Sequence, residues 1–130
     1  MELLKASRFL NFRQPPSEPT VTFCLEGAIR LHQVTVELMG LKPGDHCIFI
    51  QDETGDCLIG KADKKHHEEG FTLRQYDETK TLQFRSKALV RHIAKSKDWA
   101  LATDKKTSIR CKLKTCPVEW NGLLVYEIEM

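Results

Sequence analysis

No stretch of this 130-residue chain approaches the roughly 20 consecutive apolar residues that cross a bilayer. The N-terminal "MELLKASRFLNFRQPP" interrupts its apolar residues with Lys5, Arg8 and Arg13, whereas a secretory signal needs an unbroken apolar core. A soluble protein with no membrane partner is expected. The cysteines, at 24, 47, 57, 111 and 116, are odd in number and form no C-x-x-C pair. Three of them lie inside apolar runs, which points to buried, reduced thiols and a cytoplasmic setting rather than a disulfide framework. The sequence also lacks a Gly-rich phosphate loop, a G-x-S-x-G elbow and an H-E-x-x-H pair. Cys47, Cys57 and Cys111 follow apolar strand patterns that deny them the exposure a nucleophile needs. "HHEE" (His66 to Glu69) has metal-ligand residue types, but adjacent histidines on a short loop do not converge on one ion. The expectation is a non-catalytic protein with no cofactor and no metal.

Acids are scarce in one region. From Lys80 to Lys114 there are eleven Lys or Arg and two acids, Asp98 and Asp104, whereas the rest of the chain holds nine basic and sixteen acidic groups. The net charge of +2 conceals this asymmetry. A segregated basic segment indicates an anionic partner or two differently charged faces.

"RQPPSEPT" (Arg13 to Thr20) is the one Pro-rich stretch and reads as a loop before the strand "TVTFCLE". "AIRL" follows Gly27, and "HQVTVELMG" reads as a helix with Val34, Leu38 and Leu41 on one side and Gly40 as C-cap. Pro43 prevents continuation, Gly44-Asp45 turns the chain, and "HCIFIQD", "ETGD" and "CLIGKA" make a hairpin. "DKKHHEEG" is a polar connection to "FTLRQY", in which Phe71 and Leu73 alternate with Thr72 and Arg74. "TLQFR" is the next strand, and Ser86 caps the helix "KALVRHIAKS". "WALATD", "SIRCKLK" and "GLLVYEI" follow as strands, the last two separated by "TCPVEWNG". The reading is a single α+β domain, β-rich, with eight or nine strands and two short helices. It divides into an arm (1–19) and two β-α-β-β-β units, 20–78 and 79–130.

The segment "GAIRLHQVTVELMGLKPGD" (Gly27 to Asp45) resembles the core motif of the AbrB/SpoVT/MazE swapped-hairpin family of prokaryotic regulators and antitoxins. Gly27, Ile29, Leu31, Glu37, Met39, Gly40, Leu41, Lys42, Pro43, Gly44 and Asp45 fall in register with that motif, and the likeness extends loosely to Ile59. The resemblance implies a homodimer with interleaved hairpins and DNA contacts near the first strand and helix, here from Arg30 and Lys42. Ala28, His32 and Val36 stand where the family usually has Arg, Pro and Arg. The duplicated strand order also resembles a sliding-clamp domain or a Whirly-like platform, in topology alone.

The basic segment has internal order. Lys87, Arg91 and Lys95 form one helical stripe opposite Leu89, Val90, Ile93 and Ala94. Arg110, Lys112 and Lys114 alternate with Ile109, Cys111 and Leu113 along a strand. With the helix beside that strand, both sets and Arg85 would make one patch for DNA or another polyanion, and the short helices would share one face of the molecule. Phe84 and Trp99 border the segment and would stack bases if exposed. The expected function is a DNA-binding regulator or accessory factor. The alternative is a protein-interaction module, an antitoxin-like or accessory subunit without direct DNA contact.

Overall fold

The residues described by the computed structural model are 18–76, 78–97, 99 and 108–130. The arm up to residue 17 and the expected strand "WALATD", Trp99 excepted, lie outside them. The strands are β1 (Thr20–Cys24), β2 (Ala28–Leu31), β3 (His46–Gln51), β4 (Cys57–Lys61) and β5 (Phe71–Thr72). They continue with β6 (Arg74–Gln75), β7 (Leu82–Arg85), β8 (Ser108–Leu113), β9 (Val118–Trp120) and β10 (Leu123–Glu129). The helices are α1 (Gln33–Met39) and α2 (Lys87–Ser96), and a 3-10 turn covers His67–Glu69.

Local chemistry sets the element ends. Gly40 ends α1 in the left-handed region at φ 64, and the Gly40 and Leu41 amides donate to the carbonyls of Glu37 and Val36. Only glycine adopts that conformation without strain. The Asp45 carboxylate accepts from the Lys42 amide at 2.8 Å, which fixes the turn into β3. Ser86 accepts from the Leu89 amide, a side-chain cap at the start of α2. The Asp52 side chain takes the amides of Thr54 and Asp56, holding the β3–β4 turn.

All strand pairs are antiparallel, in the order β5-β3-β4-β10-β8-β1-β2-β7-β6, with β9 against the first half of β10. The two ends of that path, β5 and β6, are halves of one segment broken at Leu73. The first half pairs with β3 and the second with β7, and Leu73 itself exchanges backbone hydrogen bonds with Gly44 and Asp45. The sheet therefore curls round until it is nearly closed. Its order is also symmetric. β2 and β7, each followed by a helix, lie side by side, and β1 lies between β2 and β8 as the 71–75 segment lies between β7 and β3. The repeat visible in this order is β-β-α-β-β rather than β-α-β-β-β, because each outer hairpin strand belongs with the strand that precedes a helix.

Inward residues fill the enclosure. Val21, Phe23, Ile29, Leu31, Ile59, Leu73, Val90 and Ile93 are wholly or almost wholly buried. Phe49 meets the rings of Phe23, Phe71 and Phe84 edge-on. The helices close opposite ends instead of sharing one face. The Thr35 hydroxyl of α1 donates to the Thr20 carbonyl at the start of β1, and Lys61 at the end of β4 reaches the Gly40 carbonyl. At the other end, α2 bonds Gln51 through His92 and Ser96, and Lys97 just beyond it bonds Asp56. Antiparallel neighbours β2 and β7 run in opposite directions, so the helix after each emerges at the opposite rim. The buried face of α1 is Thr35, Val36 and Met39; of the expected Val34, Leu38 and Leu41, Leu41 is buried in the core and Leu38 packs against it, while Val34 is only half-buried.

Candidate nucleic-acid interface

Residues directly opposite in an antiparallel sheet share a face. The register places Arg110 opposite Thr22, Thr22 opposite Arg30, Arg30 opposite Gln83, and Gln83 opposite Arg74. These five residues make one row across β8-β1-β2-β7-β6 on the face away from Val21, Phe23, Ile29, Leu31 and Phe84; Arg110 and Arg74 at its ends are exposed, Arg30 and Gln83 are half-buried, and Thr22 is buried. At about 4.8 Å between strands the row is roughly 19 Å long. Arg85 stands two residues from Gln83 on the same face, opposite Ala28. Lys112 stands two residues from Arg110, opposite Thr20.

The arginines of the row are not balanced by nearby acids, and neither are Lys87, Arg91 and Lys95 on α2 among the described residues. Among the described residues, no carboxylate lies within ion-pair distance of Arg30, Arg74, Arg85 or Arg110. The lysines at its corner are paired, Lys112 with Glu18 at 3.2 Å and Lys114 with Glu127. Arg30 lies with its guanidinium carbon 4.1 Å from the Tyr76 ring centroid, and its buried Nε has no hydrogen-bond partner. A buried donor on a charged group without an acceptor is costly and calls for an explanation. His32 lies in the same region, its Nε2 2.7 Å from the Thr22 hydroxyl. Burial, then the Arg110 and Arg30 charges, push its pKa below the ordinary 6.5.

The nine cations expected from the sequence fall into three groups. Arg30, Arg85 and Arg110 belong to the sheet face, with Lys112 and Lys114 at its corner. Lys87, Arg91 and Lys95 are exposed on α2 at the rim, and Lys87 sits against the β1–β2 turn, its Cγ 2.7 Å from where a Gly27 Cβ would stand. That helix packs on β2 and the β3–β4 turn, not along β8, so the stripe meets the sheet face through Arg85, Ser86 and Lys87. Lys42 stands apart, in the turn at the opposite rim. Arg74 and Gln83 escaped the sequence reading. The alternation in "FTLRQY" put Arg74 on an outer face, but nothing local says that this strand lies beside β7.

Other expected features are relocated. Phe84 is 6% exposed, and Trp99 packs against Phe23 at 5.6 Å between centroids. Both pack on the core, and Phe84 offers no open stacking surface. His66 is buried, not solvated: its Nδ1 lies 2.7 Å from Asp63 Oδ1 and its ring packs against Trp120. Among the described residues no three His, Cys, Asp or Glu converge as metal ligands. Cys24, Cys47, Cys57 and Cys111 are buried free thiols and Cys116 is exposed. Burial pushes Cys47 up to about 12 and Cys111 up to about 11, which holds both as thiols at neutral pH. The β3–β4 hairpin has β5 on one side and β10 of the same chain on the other. No protein-family model, curated protein or solved structure matches the chain.

Proposed function

We propose that the chain is a non-catalytic nucleic-acid-binding protein that places the outer face of β8-β1-β2-β7-β6 against a phosphate backbone. The arginine row carries this reading: three guanidiniums on alternate strands, unbalanced by nearby acids, with Thr22 and Gln83 between them. Arginine suits the role because its planar fork meets phosphate oxygens in pairs. A phosphate at the row would supply the acceptor that Arg30 Nε lacks. The role is that of a regulator or accessory factor, as the partial likeness to the AbrB-type motif also suggests.

Fluorescence anisotropy on duplex and single-stranded oligonucleotides tests the reading. Reversing Arg30, Arg74 and Arg110 to Glu should abolish binding, and reversing Lys87, Arg91 and Lys95 should weaken it less. If the helix variant lost all binding and the sheet variant lost none, the interface would lie on α2.

A further inference from the structure

The break at Leu73 leaves a gap in the sheet. β6 pairs with the first half of β7, through Leu82 and Gln83, but β5 turns away to β3 and leaves the second half of β7 uncovered on that side. A cleft of about 440 Å³ opens there, lined by Phe71, Thr72, Arg74, Gln83, Phe84 and Arg85. Its size falls within the range of small-molecule sites. Each wall has its own chemistry. Arg74 and Arg85 are exposed and unmatched by acids among the described residues. The Gln83 Oε1 is buried and has no partner. The floor is the half-buried Phe71, whose ring stacks on the buried Phe84 at 4.6 Å with 19° between the rings.

The three demands select one ligand class. Two guanidiniums call for an anion, the orphaned amide oxygen calls for an N–H donor, and the partly exposed Phe71 ring calls for a flat apolar ring. A nucleotide meets all three. We propose that this cleft binds a single nucleotide, with its phosphate between Arg74 and Arg85 and an exocyclic amine of its base on the Gln83 amide. Amide side chains read adenine edges by this chemistry. The unit is either a free nucleotide or one turned out of a strand lying on the adjacent arginine row. The second source rests on the nucleic-acid reading above, and the first does not.

Two probes separate these cases, each with wild type and with Gln83→Leu, which leaves the charge unchanged. Adenosine monophosphate is titrated while the aromatic proton signals of Phe71 and Phe84 are followed by NMR. In parallel, a duplex carrying one bulged 2-aminopurine is compared with its fully paired counterpart. The expected result is Gln83-dependent shifts with the monophosphate and about fivefold tighter binding of the bulged duplex, lost in Gln83→Leu, in keeping with one hydrogen bond. Monophosphate shifts without a bulge preference also sustain the proposal and identify the source as a free nucleotide. If neither probe responds to Gln83, the cleft is not a nucleotide site. Binding of the paired duplex in the same series shows whether the arginine row stands without it. A melting curve for Gln83→Leu confirms that the variant folds.

Discussion

Burial depresses the His32 pKa most, and the Arg110 and Arg30 charges of the proposed phosphate row depress it further. Its folded pKa lies below the ordinary 6.5, so the unfolded chain takes up the proton first as pH falls. The associated stability is present above pH 6.5 and is lost as the pH drops through the folded value. Urea unfolding at pH 7.5 and 5.5 should show a loss at the lower pH that is smaller in His32→Gln. A polyanion on the row would offset the Arg110 and Arg30 charges, the smaller causes of the depression, and so favour proton uptake by His32 as pH falls. In the core, Phe23 is fully buried between Trp99 and Phe49. Phe23→Ala should cost about 3–5 kcal/mol, read by chemical denaturation, as for other large-to-small core changes.

Two elements depend on single residues. β4 passes so close to β10 at Gly60 that an added Cβ would stand 2.7 Å from Val125 Cγ1 and 2.9 Å from the Leu124 carbonyl oxygen. Backbone does not yield cheaply, and Gly60→Ala should cost about 1–3 kcal/mol of stability through overpacking. Removing the cap of α2 with Ser86→Ala should cost about 1 kcal/mol. The same cap shows what was legible at this scale. Ser86 and the periodicity of "KALVRHIAKS" placed α2 at its observed bounds, and Gly40 placed the end of α1. The strand β9 was not read, although Asn121 and Gly122, both at positive φ, are the Asn-Gly pair that marks a two-residue hairpin turn. The break at Leu73 had no such marker. "FTLR" alternates through Leu73 without interruption, and the break arises because the two halves of the segment pair with different strands.

The whole molecule was legible in kind and not in arrangement. The sequence supported a β-rich chain with two helices and a basic segment, since periodicity and charge are local properties. Strand partners are not, so the joining of Arg110, Arg30 and Arg74 across five strands became visible only with the sheet order. The charge asymmetry along the chain also misled in part. Lys112 and Lys114 meet Glu18 and Glu127, and Arg74 lies outside the basic segment altogether. The central claim is that the arginine row meets phosphates, and the salt dependence of duplex binding tests it most directly. Each neutralised phosphate contributes about 0.9 to the slope of log K against log salt. The expected slope is steep and negative for the wild type, and shallower by about 2.7 when Arg30, Arg74 and Arg110 are all changed to Ala. An unchanged slope in that variant, or no binding by the wild type at low salt, would contradict that claim.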